Sequence, residues 1–356
     1  MAFAGFDLLR AEIAGLGQAY AVGRVSEVSG GILSVAGLST QASLGDRVRL
    51  FSRGGHQVGG EVLALHPGRI AVLADGAADG ISIGDRVELA GQTGIAPDES
   101  WIGRIIDPFG QPLDGRPIMR GAIERPLRTN PPAAAQRRRL GGRLETGIRV
   151  FNTLLPLVRG QRIGLFSGSG VGKSSLLAKF ARGVAADVVV IALIGERGRE
   201  LREFVEGVLG PEGMARTVVV AATSDLSPLL RRRCAWAAMA VAEHFRDQGA
   251  HVLFLADSVT RFAEAHREVA LAGGEPPSLR GYPPSTAHQI MALGERAGPG
   301  PEGAGDITAV FSVLVAGSDM EEPIADILRG VLDGHVVLER SIAERGRFPA
   351  IDLLRS

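Results

Sequence analysis

The sequence has a single cysteine, Cys234, in 356 residues. One thiol excludes a disulfide framework and a four-cysteine zinc site. Tyrosine and tryptophan are scarce, two of each. That composition suits tight turns better than an aromatic ligand-binding face. There is no excess charge of either sign, with Lys+Arg and Asp+Glu both at 39. Nothing global therefore calls for nucleic acid or an anionic membrane. No apolar run reaches transmembrane length. The stretch from Met1 to Tyr20 contains Asp7, Arg10 and Glu12 and lacks the basic start, apolar core and cleavage site of a secretory signal. Residues 1–19 read as a lead-in, either a short amphipathic docking helix or a frayed end. The expected location is the cytoplasm. His56, His66, His244, His251, His266, His288 and His335 form no metal-ligand pattern with cysteine or with one another.

What is present is glycine, 49 residues, in a chain that is 45% hydrophobic and 22% charged. This is a soluble globular composition, long enough for two or three domains. Between Tyr20 and Ala90, short apolar runs recur at Ala21–Val28, Gly31–Val35, Arg47–Leu50, Val58–Leu65, Ile70–Leu73 and Arg86–Leu89. Glycine-rich turns separate them. The phrase Leu-Gly-Asp-Arg-Val at 44–48 returns as Ile-Gly-Asp-Arg-Val at 83–87. Six short strands at this spacing predict a small β-barrel domain over 20–90. It holds no catalytic cluster, and its expected role is structural, at subunit contacts.

Residues 91–150 read as a connector. Ile102–Ile106 is a predicted strand, and the prolines at 126, 131 and 132 exclude helix there. Arg137, Arg138 and Arg139 form a basic triplet without interleaved aromatics. That favours a solvated linker or subunit edge over nucleic-acid contact.

From about residue 151 to 356 the pattern becomes α/β. Buried parallel strands are predicted at Ile163–Phe166, Val188–Ile194, Thr217–Ala221, Val252–Ala256 and Ile307–Leu314. Leu230, Cys234, Ala238, Val241 and Phe245 make a helical core stripe, so Cys234 reads as a buried apolar residue. The first strand runs into Ser167, Gly168, Ser169, Gly170, Val171, Gly172, Lys173, Ser174 and Ser175, followed by a predicted helix to about Arg182. Strand, glycine-rich turn, Lys-Ser and helix is the recipe for a phosphate-binding loop. Backbone N–H groups cradle the phosphates, Lys173 reaches them and Ser174 ligates Mg²⁺. Ser167 stands where the strict pattern has glycine.

Two further strands end in acids. Glu196 follows Val188–Ile194 and is the candidate for orienting the attacking water, with Arg197 or Arg199 offsetting charge. Asp257 ends the His251–Asp257 run and is the candidate for the metal shell. Ser258 or Thr260 is expected to cap the next helix. Ser167, Glu196, Asp257 and Arg296 are expected at one rim. The run from Glu275 to Ser285 carries four prolines and reads as a stiff contact loop.

These motifs occur together with Gly195-Glu196-Arg197-Gly198-Arg199-Glu200, Asp257-Ser258-Val259-Thr260-Arg261-Phe262 and Arg280-Gly281-Tyr282-Pro283-Pro284-Ser285. The chain therefore resembles the ATPases of type III protein export, most closely the flagellum-specific branch, from about residue 20 onward. That family is related to the subunits of rotary ATP synthases, and Glu196 resembles the catalytic kind. The resemblance implies an α/β fold, a RecA-like P-loop ATPase preceded by a six-stranded barrel. It implies ATP and Mg²⁺, homohexameric rings, and a site at the cytoplasmic face of the inner membrane. Implied partners are the export gate, stalk and regulator proteins and chaperone–substrate complexes, with no specific nucleic acid. Carried over by position, Lys173 binds phosphate, Ser174 and Asp257 belong to the metal, Glu196 activates water beside Arg197, and Phe348 packs on adenine. In the family, a segment like Asp352–Ser356 leads to an arginine that enters the neighbouring site and then to a helical domain; Arg355 is not that arginine. The expectation is nucleotide binding, with weak hydrolysis that rises with protein concentration. Alternatives are a rotary-synthase subunit, an injectisome ATPase, a non-hydrolysing nucleotide-binding scaffold and an RNA helicase ring.

Overall fold

Alternating apolar residues bounded by glycine turns produce the barrel that opens the computed structural model. It describes Ile13, residues 20–315 and residues 320–356. The lead-in expected over 1–19 lies, apart from Ile13, outside the described residues. Strands β1 (Val22–Ser29), β2 (Ile32–Ala36), β3 (Arg47–Phe51), β4 (Gln57–His66), β5 (Arg69–Ala74) and β6 (Arg86–Gly91) close into an antiparallel barrel in the order β1-β2-β5-β4-β3-β6. Val25, Leu33, Val48, Leu50, Val72 and Val87 fill its interior. The sequence repeat is the same turn built twice. Asp46 accepts the Ser43 amide at 2.7 Å, and Asp85 accepts the Ser82 amide at 2.7 Å. Between them Gly45 and Gly84 hold φ of 83° and 91°, which only glycine adopts freely.

The connector contributes β7 (Ile105–Ile106), shorter than the predicted Ile102–Ile106, because Ile102 and Gly103, φ 84°, continue the turn begun by the 3-10 segment Glu99–Trp101, which Asp98 caps. Arg137 and Arg138 correct the solvated-linker expectation. Arg137 donates to the carbonyls of Ala297, Glu295 and Pro132. Arg138 donates to the Gly300 and Ala304 carbonyls and pairs with Asp306 at 2.6 Å. Two of the three arginines thus pin the connector to the α/β half.

That half is a largely parallel sheet. Its strands are β8 (Arg162–Ser167), β9 (Val188–Glu196), β10 (Thr217–Thr223), β11 (His251–Asp257), β12 (Gly298–Pro299), β13 (Asp306–Leu314), β14 (Gly334–Leu338) and β15 (Ile351–Asp352). The order across the sheet is β15-β14-β8-β13-β11-β9-β10-β7, with β12 beside β13. β12, β14 and β15 lie outside the strands that the sequence predicts. The main helices are α1 (Lys173–Gly183), α2 (Pro228–Asp247), α3 (Val259–Ala272), α4 (Ser285–Arg296) and α5 (Pro323–Val331).

Helix α2 departs from its predicted single stripe. It is buried on almost every side, from Arg232 through Arg246. One face packs on the sheet, where Cys234 is fully buried and its thiol is pushed up by desolvation. The other face meets the barrel and connector. Arg232 donates to Glu61 of β4 at 2.7 Å. Arg233 donates to the carbonyls of Pro108, Thr93 and Gly94. Buried guanidinium groups are tolerated because each finds acceptors.

Candidate active site

Parallel strands deliver their C-terminal ends to one rim, which is where such sheets place ligands. β8 delivers Ser167 and the loop Gly168–Gly172. Gly170 and Gly172 hold φ of 77° and 85°, so the loop depends on glycine at both points. Gly172 caps α1, whose first residue is Lys173. Val171 is buried and anchors the loop to the core, while Ser174 and Ser175 are exposed at the helix start. Gly168, Ser169, Gly170, Gly172, Lys173, Ser174 and Ser175 line a cleft of about 920 Å³ together with Gly195, Glu196 and Arg197. The Ser167 hydroxyl is buried and has no hydrogen-bond partner among the described residues.

β11 brings Asp257 to the same rim. The Lys173 ammonium lies directly against its carboxylate. The Ser312 hydroxyl donates to the same oxygen, Oδ1, at 2.8 Å. Ser258 is the expected cap, accepting the Arg261 amide at 3.3 Å. Thr260 instead bonds β13, accepting the Leu314 amide at 2.9 Å.

β9 brings Glu196. A bulge at Gly195, φ 70°, breaks the register with β10 so that Thr223 pairs with Glu196. Bulges of this kind re-aim a side chain at a strand end. Burial, then the Asp257 charge, pushes the Glu196 carboxyl up to about 7, against the pull of Lys173. Arg197 lines the cleft too, but its guanidinium is exposed and paired with Glu200 at 3.1 Å.

Phe348 is 61% exposed, and its ring lies so close to Gly172 that a Cβ there would meet it at 3.2 Å. With Gly170, Ser175, Leu176, Lys179 and Pro349 it lines a second, apolar-walled hollow of about 340 Å³. A planar base fits against such a face.

Arg296 corrects the sequence expectation. It is 3% exposed, bonds both oxygens of Glu243 at 2.9 and 2.7 Å, and donates to the Leu127 carbonyl. It braces α4 against α2 and does not line the nucleotide cleft. Sequence reasoning missed Arg231 and Glu322 as cleft residues and gave Arg261 no role. Arg261 was visible in the run after Asp257; Arg231 sits in an arginine triplet, Arg231 to Arg233, in which nothing distinguishes it.

The donor set fits magnesium. Asp257 and Ser174 offer a carboxylate and a hydroxyl at the phosphate loop. Among the described residues, no three His, Cys, Asp or Glu side chains cluster to hold a metal. Mg²⁺ binds through one or two carboxylates plus substrate phosphates and waters, so one carboxylate and one hydroxyl are the complement it needs.

A P-loop at the C-terminal rim of a RecA-like sheet defines a nucleoside triphosphatase. Residues 147–356 match the family model described as the ATP synthase alpha/beta family, nucleotide-binding domain. The flagellum-specific ATP synthase of Caulobacter vibrioides is 48% identical over 341 residues, covering 94% of this chain and 77% of that protein. The type 3 secretion system ATPase of Xanthomonas euvesicatoria is 43% identical, covering 98% of this chain and 78% of that protein. The assembled ATPase EscN of the enteropathogenic E. coli type III secretion system superposes with a TM-score of 0.84 at 38% identity, over 93% of this chain and 79% of that one. The chain belongs to the ATP synthase alpha/beta family, in its branch of flagellum-specific and type III secretion ATPases. It is an ATP-hydrolysing, protein-transporting ATPase.

Proposed function

We propose that this chain hydrolyses Mg-ATP to drive flagellar protein export, with the chemistry at the Lys173–Asp257–Glu196 rim. The observation that carries the assignment is that Lys173 and Glu196 line one phosphate-loop cleft, with the Asp257 carboxylate buried directly against the Lys173 ammonium. Gly168–Gly172 cradles the phosphates through backbone N–H groups. Lys173 leaves Asp257 for the β and γ phosphates. Ser174 and Asp257 would hold the metal, which would supply positive charge to neutralise the phosphates. Glu196 orients water in line with the γ-phosphate and takes up its proton. Arg197, freed from Glu200, offsets charge on the transferred group. Phe348 stacks on the base.

In this reading residues 151–356 are the catalytic unit, 91–150 the connector, and the barrel over 20–90 holds neighbouring subunits in a homohexamer. A central stalk is the first partner to expect, since EscN was solved with its central stalk EscO. Gate and regulator proteins and chaperone–substrate complexes would follow at the cytoplasmic face of the inner membrane. No helix among the described residues is long and apolar enough to cross a membrane. The flagellar reading is favoured over the injectisome by 48% identity to three flagellar relatives, against 43% to the type 3 secretion system ATPase of Xanthomonas euvesicatoria.

The test is Mg-ATP turnover across a range of protein concentrations, beside Glu196→Gln. Turnover per subunit that rises with concentration and vanishes in the variant is expected. A rate independent of concentration across the assembly range contradicts the ring.

A further inference from the structure

We propose that Ser312 is a positioning residue for Asp257, the fixed donor that holds this carboxylate when Lys173 departs for the nucleotide. The inference rests on the assignment of Asp257 to the metal shell and adds a residue to it.

β13 lies between β8, which leads into the phosphate loop, and β11, which ends in Asp257. Ser312 pairs with Leu165 across one side, and its neighbour Phe311 pairs with Ala256 across the other. It is therefore held by the sheet on both flanks. It is fully buried, beside an Asp257 that is 4% exposed. A hydroxyl in an otherwise apolar strand interior (Ala309, Val310, Phe311, Val313) has no packing advantage over alanine. Its 2.8 Å bond to Asp257 Oδ1 accounts for it.

Oδ1 has two donors, the Lys173 ammonium and the Ser312 hydroxyl. They differ in mobility. Lys173 sits at the start of α1 on a long flexible stem. Ser312 is fixed in the middle of the sheet. Two residues further on, Leu314 exchanges bonds with Thr260 Oγ1 at 2.9 and 3.4 Å, which ties the end of β13 to the helix that follows Asp257. When Lys173 turns to phosphate, the Ser312 bond remains. A carboxylate rotates about its last torsion over a broad, two-fold well. One fixed donor on Oδ1 selects its plane and reserves the second oxygen for the metal shell. Groups that orient a metal ligand in this way typically govern affinity by about 10- to 100-fold.

The experiment is a magnesium titration of ADP binding, followed with a fluorescent ADP analogue and, separately, with Mn²⁺ by its spin-resonance signal. Asp257→Asn serves as the reference variant. Ser312→Ala should raise the Mg²⁺ midpoint about tenfold. It should leave metal-free ADP affinity and the apo melting temperature close to the parent. Ser312→Thr, which keeps the hydroxyl, should restore the midpoint. If Asp257→Asn moves the midpoint and Ser312→Ala does not, the inference is overturned while the metal-shell assignment stands. If Ser312→Ala weakens metal-free ADP binding equally, Ser312 is a packing residue and the inference is again overturned. If Asp257→Asn itself leaves the midpoint unmoved, the metal-shell assignment fails and takes the inference with it.

Discussion

The Lys173 ammonium rests against the Asp257 carboxylate, joining the first residue of the helix after the phosphate loop to the last residue of a strand 84 positions on. In the proposed assignment, the contact sets the cation assigned to phosphate against the acid assigned to the metal, so each offsets the other's charge. The surrounding carboxylate, Glu196, feels the consequence.

Glu196 should cost the empty protein stability. Its carboxyl is raised to about 7 from 4.5 by burial and by Asp257. A raised folded value means that full stability is present below the unfolded value and is lost as pH climbs through 7. Glu196→Gln should therefore stabilise the nucleotide-free protein at pH 8 by about 1–2 kcal/mol, discounted for partial exposure, and change little at pH 4.5. Urea midpoints at the two pH values measure this. The variant that stops turnover is expected to be the more stable protein.

Phe348 should behave in the opposite way. Its ring is mostly exposed in the empty protein, so Phe348→Ala should move stability by no more than about 0.5 kcal/mol. Nucleotide affinity should fall about tenfold, through loss of the stacking face. Equilibrium binding of ATP and of inorganic triphosphate separates the two effects. Only ATP should be weakened.

Arg296 is a structural residue in this fold. Removing it leaves Glu243 buried without its partner, and Arg296→Ala should cost about 3–5 kcal/mol. Replacing both by apolar residues of similar size, Arg296→Met with Glu243→Leu, should recover much of that loss. Denaturant unfolding of the single and double variants tests it. Loss of activity without loss of stability in the single variant would return Arg296 to the site.

Glu61 anchors the barrel to the α/β half through Arg232, with Arg128 3.2 Å away on the other side. Burial already depresses the Arg232 guanidinium, and Glu61 counters it. Glu61→Ala should leave that cation uncompensated and cost about 2–4 kcal/mol. The barrel should then melt separately from the remainder, visible as a second calorimetric transition.

The parts of this fold legible in the sequence are those written in local residue order. Glycines with Lys173 and Ser174 specify a turn and a helix start within nine residues. Apolar strands ending in Glu196 and Asp257 announce the rim, because strand ends in a parallel sheet share one edge. The repeated turns at 44–48 and 83–87 announced the barrel. What stayed hidden depends on partners far apart in the chain. Arg296 reads as a rim residue until Glu243, 53 residues earlier, accepts from its Nε and Nη2. Arg137 and Arg138 look solvated until the carbonyls near residue 300 take them up. Ser312 is one serine in an apolar run, and only the neighbouring strand reveals its acceptor. Helix α2 shows a stripe on one face, and the arginines on the other face conceal that it too is buried.

The most direct measurement separates binding from chemistry at the rim. ATP affinity and single-turnover phosphate release are measured on the same preparations of the parent and Glu196→Gln. The account predicts that Glu196→Gln binds ATP within about threefold of the parent and releases phosphate at least about a hundredfold more slowly, as expected for loss of a group acting on the water alone. Phosphate release near the parental rate in Glu196→Gln, at equal nucleotide occupancy, would contradict the assignment of the chemistry to Glu196.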